Sequence, residues 1–273
     1  MEENMLGVII TRNRKRKPLI HCITNHVTAN DCANILLACG SSAIMADDPD
    51  EAEEVTAMCS GLVLNMGTPN PRKLEAMLRA GAAANRLGHP VILDPVGVGS
   101  SAMRREAGRR LLEQVRFTAI RGNATEIATL ACGTAAHRGV DADMEKAPMD
   151  TVYENAKRLS LETGAVVIVT GDIDIVTDGK TLYRVYNGHP MMKTVTGSGC
   201  QLSALLGAYV TANPDQPLPA ALAAVCAMGL CGEIAHERLT PPDGNASYRN
   251  YIIDAVYNLT PEALQKGAKY ETD

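Results

Sequence analysis

The segment Val195-Thr196-Gly197-Ser198-Gly199-Cys200 runs directly into an apolar stretch of helical character over 201–210. Two glycines ahead of a helix let successive backbone N–H groups turn toward one point. The helix dipole adds partial positive charge there, so the segment reads as an anion hole. Cys200 falls in the first helical turn, where a thiolate is favoured relative to a free thiol of pKa roughly 8.5. That puts a proton-accepting or nucleophilic group at the lip of the hole. An ordinary glycine loop over a buried cysteine fits the same residues, and the choice rests on their surroundings.

Those surroundings are a repeated order of short apolar run and longer periodic segment. Strands are expected at 18–24, 42–45, 62–65, 91–94 and 117–120, and helices over 27–39, 50–59, 101–115 and from 124. A further helix carries Leu74, Met77, Leu78 and Gly81 on one face. Strands apolar on both faces and separated by helices imply an α/β fold, a central mostly parallel sheet flanked by helices, in a single domain over 1–273. Ligands on such sheets bind beyond the carboxyl ends of the strands. Polar residues stand there: Asn25, Met45-Ala46-Asp47, Asn65 to Thr68, Asp94-Pro95-Val96-Gly97 and Arg121-Gly122-Asn123. After a loop over 133–149 come a helix to 162, a strand at 166–170 and a hairpin of 173–177 and 182–186 around Asp178-Gly179-Lys180. Helical segments at 200–212, 219–238 and 247–258 and an amphipathic piece after Thr260 complete the chain.

Composition narrows the function classes. The 273 residues are 46% hydrophobic and 21% charged, as in a globular protein, with net charge −5, one Phe and no Trp. Nucleic acid is therefore not an expected partner. No apolar run approaches the ~20 residues of a membrane span, and Met1-Glu2-Glu3-Asn4 lacks the basic-then-apolar order of a secretory signal, so no membrane is expected and the cytoplasm is. The basic run from Arg12 to Lys17 reads as a solvated surface turn. Eight cysteines without zinc-type spacing and six histidines without paired spacing suggest neither a resident transition metal nor a disulfide framework.

An anion hole, carboxylates and an arginine on neighbouring strand ends suit phosphoryl transfer, which depends on positioning and charge neutralisation. Neither a P-loop nor the protein-kinase motifs are present. The chain instead resembles the ribokinase-like superfamily, and within it the hydroxyethylthiazole kinases of thiamin salvage. The segments that carry the resemblance are Ile23-Thr24-Asn25, Met45-Ala46, Leu64 to Gly67, Leu93 to Gly97, Ala119 to Ile127, Val169 to Asp172 and Val195 to Cys200, in the family's order.

The resemblance implies ATP- and Mg²⁺-dependent phosphorylation of the hydroxyl of 4-methyl-5-(2-hydroxyethyl)thiazole, by a homotrimer with active sites shared between subunits. It assigns Asn25, Met45, Gly67 and Gly197 to the thiazole pocket. Arg121, Thr170, Asn123 and Gly199 go to ATP, Asp94 and Glu126 to the metal, Glu126 acting directly or through water, and Cys200 to catalysis. Asn123 and Glu126 also have the spacing of a capping box, which does not exclude a phosphate-facing role. Where the wider superfamily carries an aspartate base this chain has Cys200, as the hydroxyethylthiazole kinases do. Rival readings are a kinase for another small alcohol such as hydroxymethylpyrimidine, a cysteine-nucleophile hydrolase, and a nucleotide-binding regulator without turnover.

Overall fold

The computed structural model describes residues 5–132 and 148–273. Strands β1 (Leu19–Ile23), β2 (Ser42–Ile44), β3 (Gly61–Asn65), β4 (Val91–Asp94), β5 (Ala119–Asn123) and β6 (Val166–Thr170) pair in parallel. Strands β7 (Asp174–Thr177), β8 (Leu182–Val185) and β9 (Tyr270–Thr272) continue the sheet antiparallel. Among the described residues they form one nine-stranded sheet of order β2-β1-β3-β4-β5-β6-β7-β8-β9. The chain winds outward from β1 to the edge strand β2 and then returns to β3 on the other side of β1. That reversal opens a crevice beyond the ends of β1 and β3, where the chain carries Asn25 and Asn65.

Helices α1 (Met5–Arg16), α2 (Ala29–Ala38), α3 (Ala52–Met58), α4 (Pro71–Leu87), α5 (Ala102–Gln114) and α6 (Ala124–Cys132) lie between or before the parallel strands. Helices α7 (Met149–Thr163), α8 (Ser198–Ala212), α9 (Pro217–Glu237), α10 (Asn245–Asn258) and α11 (Pro261–Gly267) follow. One face of the sheet packs on α1, α2 and α8 to α11 through Ile20, Val63, Ile92, Leu205 and Ala223. The other packs on α4 to α7 through Leu64, Leu93, Met77, Leu111 and Leu159. Local chemistry fixes where helices start. Asn70 Oδ1 accepts from Lys73 N at 2.9 Å with Pro71 opening α4, and Ser101 Oγ accepts from Arg104 N at 3.2 Å to open α5.

Three expectations are corrected. The basic run 12–17 ends helix α1 rather than forming a surface turn, because Leu6, Ile9, Ile10 and Asn13 repeat at helical spacing and are buried. Arg121 to Asn123 lie within β5, not after it, since their register with Ile168 to Thr170 of β6 prolongs the strand. Helix α9 spans 21 residues and is long and apolar enough to cross a membrane, yet 78% of its most apolar stretch is buried inside the protein. It is a core helix. The 3-10 turn Pro190–Thr194 and strand β9 had no expected counterpart. The loop expected over 133–149 lies outside the described residues up to 147, and α7 begins at Met149.

Candidate active site

The ends of β1, β3, β4, β5 and β6 and the start of α8 bring their polar groups together. Asn25, just after β1, is fixed by Thr28 N–H, which donates to its Oδ1 at 3.0 Å. Its Nδ2 donates to Asn65 Oδ1 at 2.9 Å, an oxygen that also accepts from Gly67 N at 2.9 Å. Asn65 Nδ2 then donates to Asp94 Oδ2 at 2.7 Å, and Ser203 Oγ, one turn into α8, donates to the same oxygen at 2.8 Å. Each amide is oriented by a donor on its oxygen and an acceptor on its nitrogen, so the row is rigid.

Cys200 sits against this row. Asn25 Nδ2 and Asn65 Nδ2 point their second N–H at its Sγ, at 3.4 and 3.3 Å. The thiolate expected from the helix dipole is not favoured here. Burial raises the Cys200 pKa above its ordinary value, and the neighbouring Asp94 charge raises it further, against the opposing hydrogen bonds from Thr28, Asn65 and Asn25. At neutral pH the group is a thiol.

Asp94 is fully buried, and desolvation pushes its carboxyl up to about 6; Arg121 pulls the other way and Glu126 adds to the rise. Its second oxygen, Oδ1, has no hydrogen-bond partner and lies 3.7 Å from Arg121 Nη1. Arg121 in turn donates from Nη2 to Thr170 Oγ1 at 2.6 Å, and its buried Nε is unpartnered. Unsatisfied buried groups of opposite charge at one point mark a place for a ligand that offers both an acceptor and a cation. A metal-bound phosphate is such a ligand.

Two glycines make the room. Gly197 precedes α8 with φ +89°, and a Cβ there would meet Thr28 Cγ2 at 2.3 Å. Gly199 lets the α8 N-terminus close on Arg121, since a Cβ would lie 2.4 Å from Nη1. Beyond them opens a cavity of about 530 Å³ with Arg121, Thr170, Ser198 and Gly199 at one end. Met192, Val225, Met228 and Gly229 line its apolar part. Backbone amides and a guanidinium beside an apolar slot complement a nucleoside polyphosphate.

Asn123 and Glu126 do form a capping box: Glu126 N donates to Asn123 Oδ1 and Asn123 N to Glu126 Oε2, both at 2.8 Å. Glu126 Oε1 accepts from Gly97 N, also at 2.8 Å, so the carboxylate ties β5 to the loop after β4 and faces the Asp94 side of the crevice. Met45 stands apart at the end of edge strand β2, 38% exposed. The sequence places Asn65 at the crevice without assigning it a role, and gives Ser203 no functional part. A strand-end asparagine and a serine three residues past Cys200 were the available signals, and only the fold joins them to Asp94. His21 is buried and satisfied by Thr56 Oγ1 and Ala46 O, and among the described residues no histidine is a hydrogen-bond partner of Cys200. The described residues therefore assemble no Cys–His nucleophile at Cys200.

Known proteins match the chain over nearly its whole length. The family model described as "HK: Hydroxyethylthiazole kinase family" matches residues 10–262. The hydroxyethylthiazole kinase of Clostridium acetobutylicum is 56% identical over 272 residues, 98% of this chain and 100% of the relative. That of Desulfovibrio desulfuricans is 46% identical, covering 94% of each chain. The solved hydroxyethylthiazole kinase of Pyrococcus horikoshii OT3 superposes with TM-score 0.88 at 32% identity, covering 98% of both chains. A pyridoxal kinase from Staphylococcus aureus in complex with ADP, 16% identical with TM-score 0.59 over 79% of this chain and 87% of its own, shares the fold alone. With its crevice at the strand ends of a ribokinase-like sheet and relatives matched from end to end, the chain belongs to the hydroxyethylthiazole kinase family.

Proposed function

We propose that the crevice binds ATP and 4-methyl-5-(2-hydroxyethyl)thiazole side by side and moves the γ-phosphoryl group to the alcohol. The chain is a kinase whose family reaction is phosphorylation of that alcohol in thiamin salvage, with ATP as co-substrate. The observation that carries our placement of the chemistry is the unpartnered Asp94 Oδ1 facing Arg121 beside the glycine-rich start of α8.

In this reading the base occupies the apolar part of the cavity, and Thr170 and Arg121 hold the phosphates. The amides of 198–200 receive the transferred group, so charge that spreads over its oxygens meets fixed donors. Asn123 holds the Glu126 carboxylate in place. Asp94 and Glu126 would hold Mg²⁺, which supplies charge neutralisation on the phosphates. A site of two carboxylates without a third protein ligand fits a small cation that keeps waters and phosphate oxygens in its shell. Asn25, Met45, Gly67 and Gly197 border the thiazole, and Cys200 Sγ, held by two amides, faces its hydroxyl. In a loose transition state the alcohol loses its proton late, so a neutral thiol can orient the hydroxyl without removing the proton beforehand.

We further propose that residues 1–273 act as one kinase domain and assemble as a homotrimer with shared sites. Met45 at 38% exposure and Val27 at 61% leave the acceptor end of the crevice open in a single chain, and a neighbouring subunit would cover it. We place the enzyme in the cytoplasm, where a reducing environment keeps cysteines as free thiols, as all eight stand here. The test is a panel of alcohols with ATP. The thiazole alcohol is expected to outperform hydroxymethylpyrimidine and pyridoxal in kcat/KM, and preference for either of those would refute the substrate assignment. Light scattering on the same preparation is expected to give the mass of three chains, with closed cyclic symmetry. A fully active monomer would end the shared-site proposal.

A further inference from the structure

We propose that Arg104 is a positioning residue that holds the acceptor-side loop and the phosphate-side loop in register, an inference that rests on the transfer proposed above. Arg104 stands in the first turn of α5, and its guanidinium reaches back over the strand ends. Nη1 donates to Met66 O at 2.6 Å and to Val96 O at 2.7 Å, while Nη2 donates to Gly67 O at 2.9 Å. These carbonyls belong to two different loops: Met66 and Gly67 follow β3, and Val96 follows β4. Each loop leads to a different half of the reaction. Gly67 borders the thiazole and hangs by its N–H from Asn65 Oδ1, whereas Gly97, next to Val96, donates to Glu126 Oε1. One planar cation thus ties the peptide beside the alcohol to the peptide that holds the proposed metal carboxylate.

The placement makes little sense as helix stabilisation. A cation in the first turn opposes the helix dipole. Arg104 also has no carboxylate partner in an ion pair among the described residues. Its interactions are charge-assisted hydrogen bonds to three carbonyls, and the rigid fork sets the distance between the loops that carry them. A residue that breaks a local rule for such contacts is expected near function. Lysine offers a single compact ammonium and cannot span the three acceptors with that geometry. The adjacent Arg105 supplies a control, because its Nη1 donates to Gly99 O at 2.6 Å and ties its helix to the β4 side alone.

The experiment compares wild type, Arg104→Lys and Arg105→Lys as full-length assembled enzyme, with Arg104→Gln as a second variant should the lysine form fail to fold. Three quantities are read: melting temperature, KM for the thiazole alcohol, and the ratio of thiazole phosphate formed to ADP released. Water is the competing acceptor, and misregistered loops spend ATP on it. Arg104→Lys is expected to raise the alcohol KM about tenfold and to lower the transfer ratio several-fold, with Arg105→Lys matching wild type. A merely structural role would reduce the amount of active enzyme and leave both KM and ratio unchanged. That result, or equal changes in the Arg104 and Arg105 variants, would overturn the proposal. Wild type that forms no thiazole phosphate would refute the transfer itself, while normal wild type with an unaltered Arg104 variant would refute only the role of Arg104.

Discussion

Asp94→Asn is expected to lower kcat by at least about a hundredfold, ~3 kcal/mol of barrier, while leaving the protein at pH 8 as stable as wild type or more so. The two effects have one origin. Asp94 is fully buried and its carboxyl is raised from an ordinary value of 3.8 to about 6, chiefly by desolvation. Between those values the native state binds more protons than the unfolded chain, so stability falls as pH rises through that window. Above it the ionised carboxylate costs the fold about 3 kcal/mol. Asparagine can keep one oxygen accepting from Asn65 and Ser203 and lacks the buried charge, so it relieves that cost. What it cannot do is present an anion at the Oδ1 position beside Arg121. The same proton explains the expected pH profile: kcat/KM of the free enzyme falls below about pH 6 as Asp94 is neutralised. Glu126→Gln is expected to raise the Mg²⁺ concentration needed for half-maximal rate. A hundredfold loss in Asp94→Asn accompanied by a lower melting temperature at pH 8 would recast Asp94 as a structural residue.

Cys200 separates differently. Cys200→Ala is expected to lose about a hundredfold in kcat because nothing then orients the hydroxyl, whereas Cys200→Asp is expected to stay within about tenfold of wild type, because a carboxyl group holds the hydroxyl in either protonation state and, when ionised, accepts the proton the alcohol releases late. The wild-type sulfur, buried and with its pKa raised, is a neutral thiol that orients the hydroxyl rather than taking its proton, so a carboxyl group at that place keeps a polar contact to the hydroxyl. Asp94 opposes a second negative charge at that place, so ATP affinity should be measured with turnover to separate repulsion from chemistry. If the two variants are equally inactive while both still bind ATP and thiazole, a polar contact from position 200 is not what orients the hydroxyl. A covalent thiol mechanism would produce that same pattern, since neither variant keeps the sulfur.

The βα alternation was legible because buried parallel strands are apolar runs of limited length, and the polar residues that close them lie where such sheets bind ligands. Asn25, Gly67, Asp94, Arg121 and Gly197 could therefore be pointed to before any packing was known. The electrostatics could not. The helix dipole at Cys200 was visible in its local sequence, but the burial and the Asp94 charge that outweigh it come from other strands. The partner of Asn65 and the parts of Ser203 and Arg104 are obscured for the same reason, since each acts on a residue tens of positions away or on a neighbouring loop. Helix α1 was missed because its basic end drew attention from Leu6, Ile9 and Ile10, whose spacing carried the helical signal. Strand β9 is three residues long and is defined by its pairing with β8 rather than by its own pattern.

In the proposed reaction one crevice, with Asp94, Arg121 and Cys200 at its centre, brings the γ-phosphate and the alcohol together. A crystal structure of the wild-type protein with Mg²⁺, a non-hydrolysable ATP analogue and 4-methyl-5-(2-hydroxyethyl)thiazole tests it most directly. The expected complex has the base against Met192, Val225 and Met228, with the γ-phosphate on Arg121 and the amides of 198–200. The hydroxyl oxygen should lie between Cys200 Sγ and the γ-phosphorus. A nucleotide bound outside this cavity, or an alcohol whose hydroxyl points away from both Cys200 and the γ-phosphate, would contradict it.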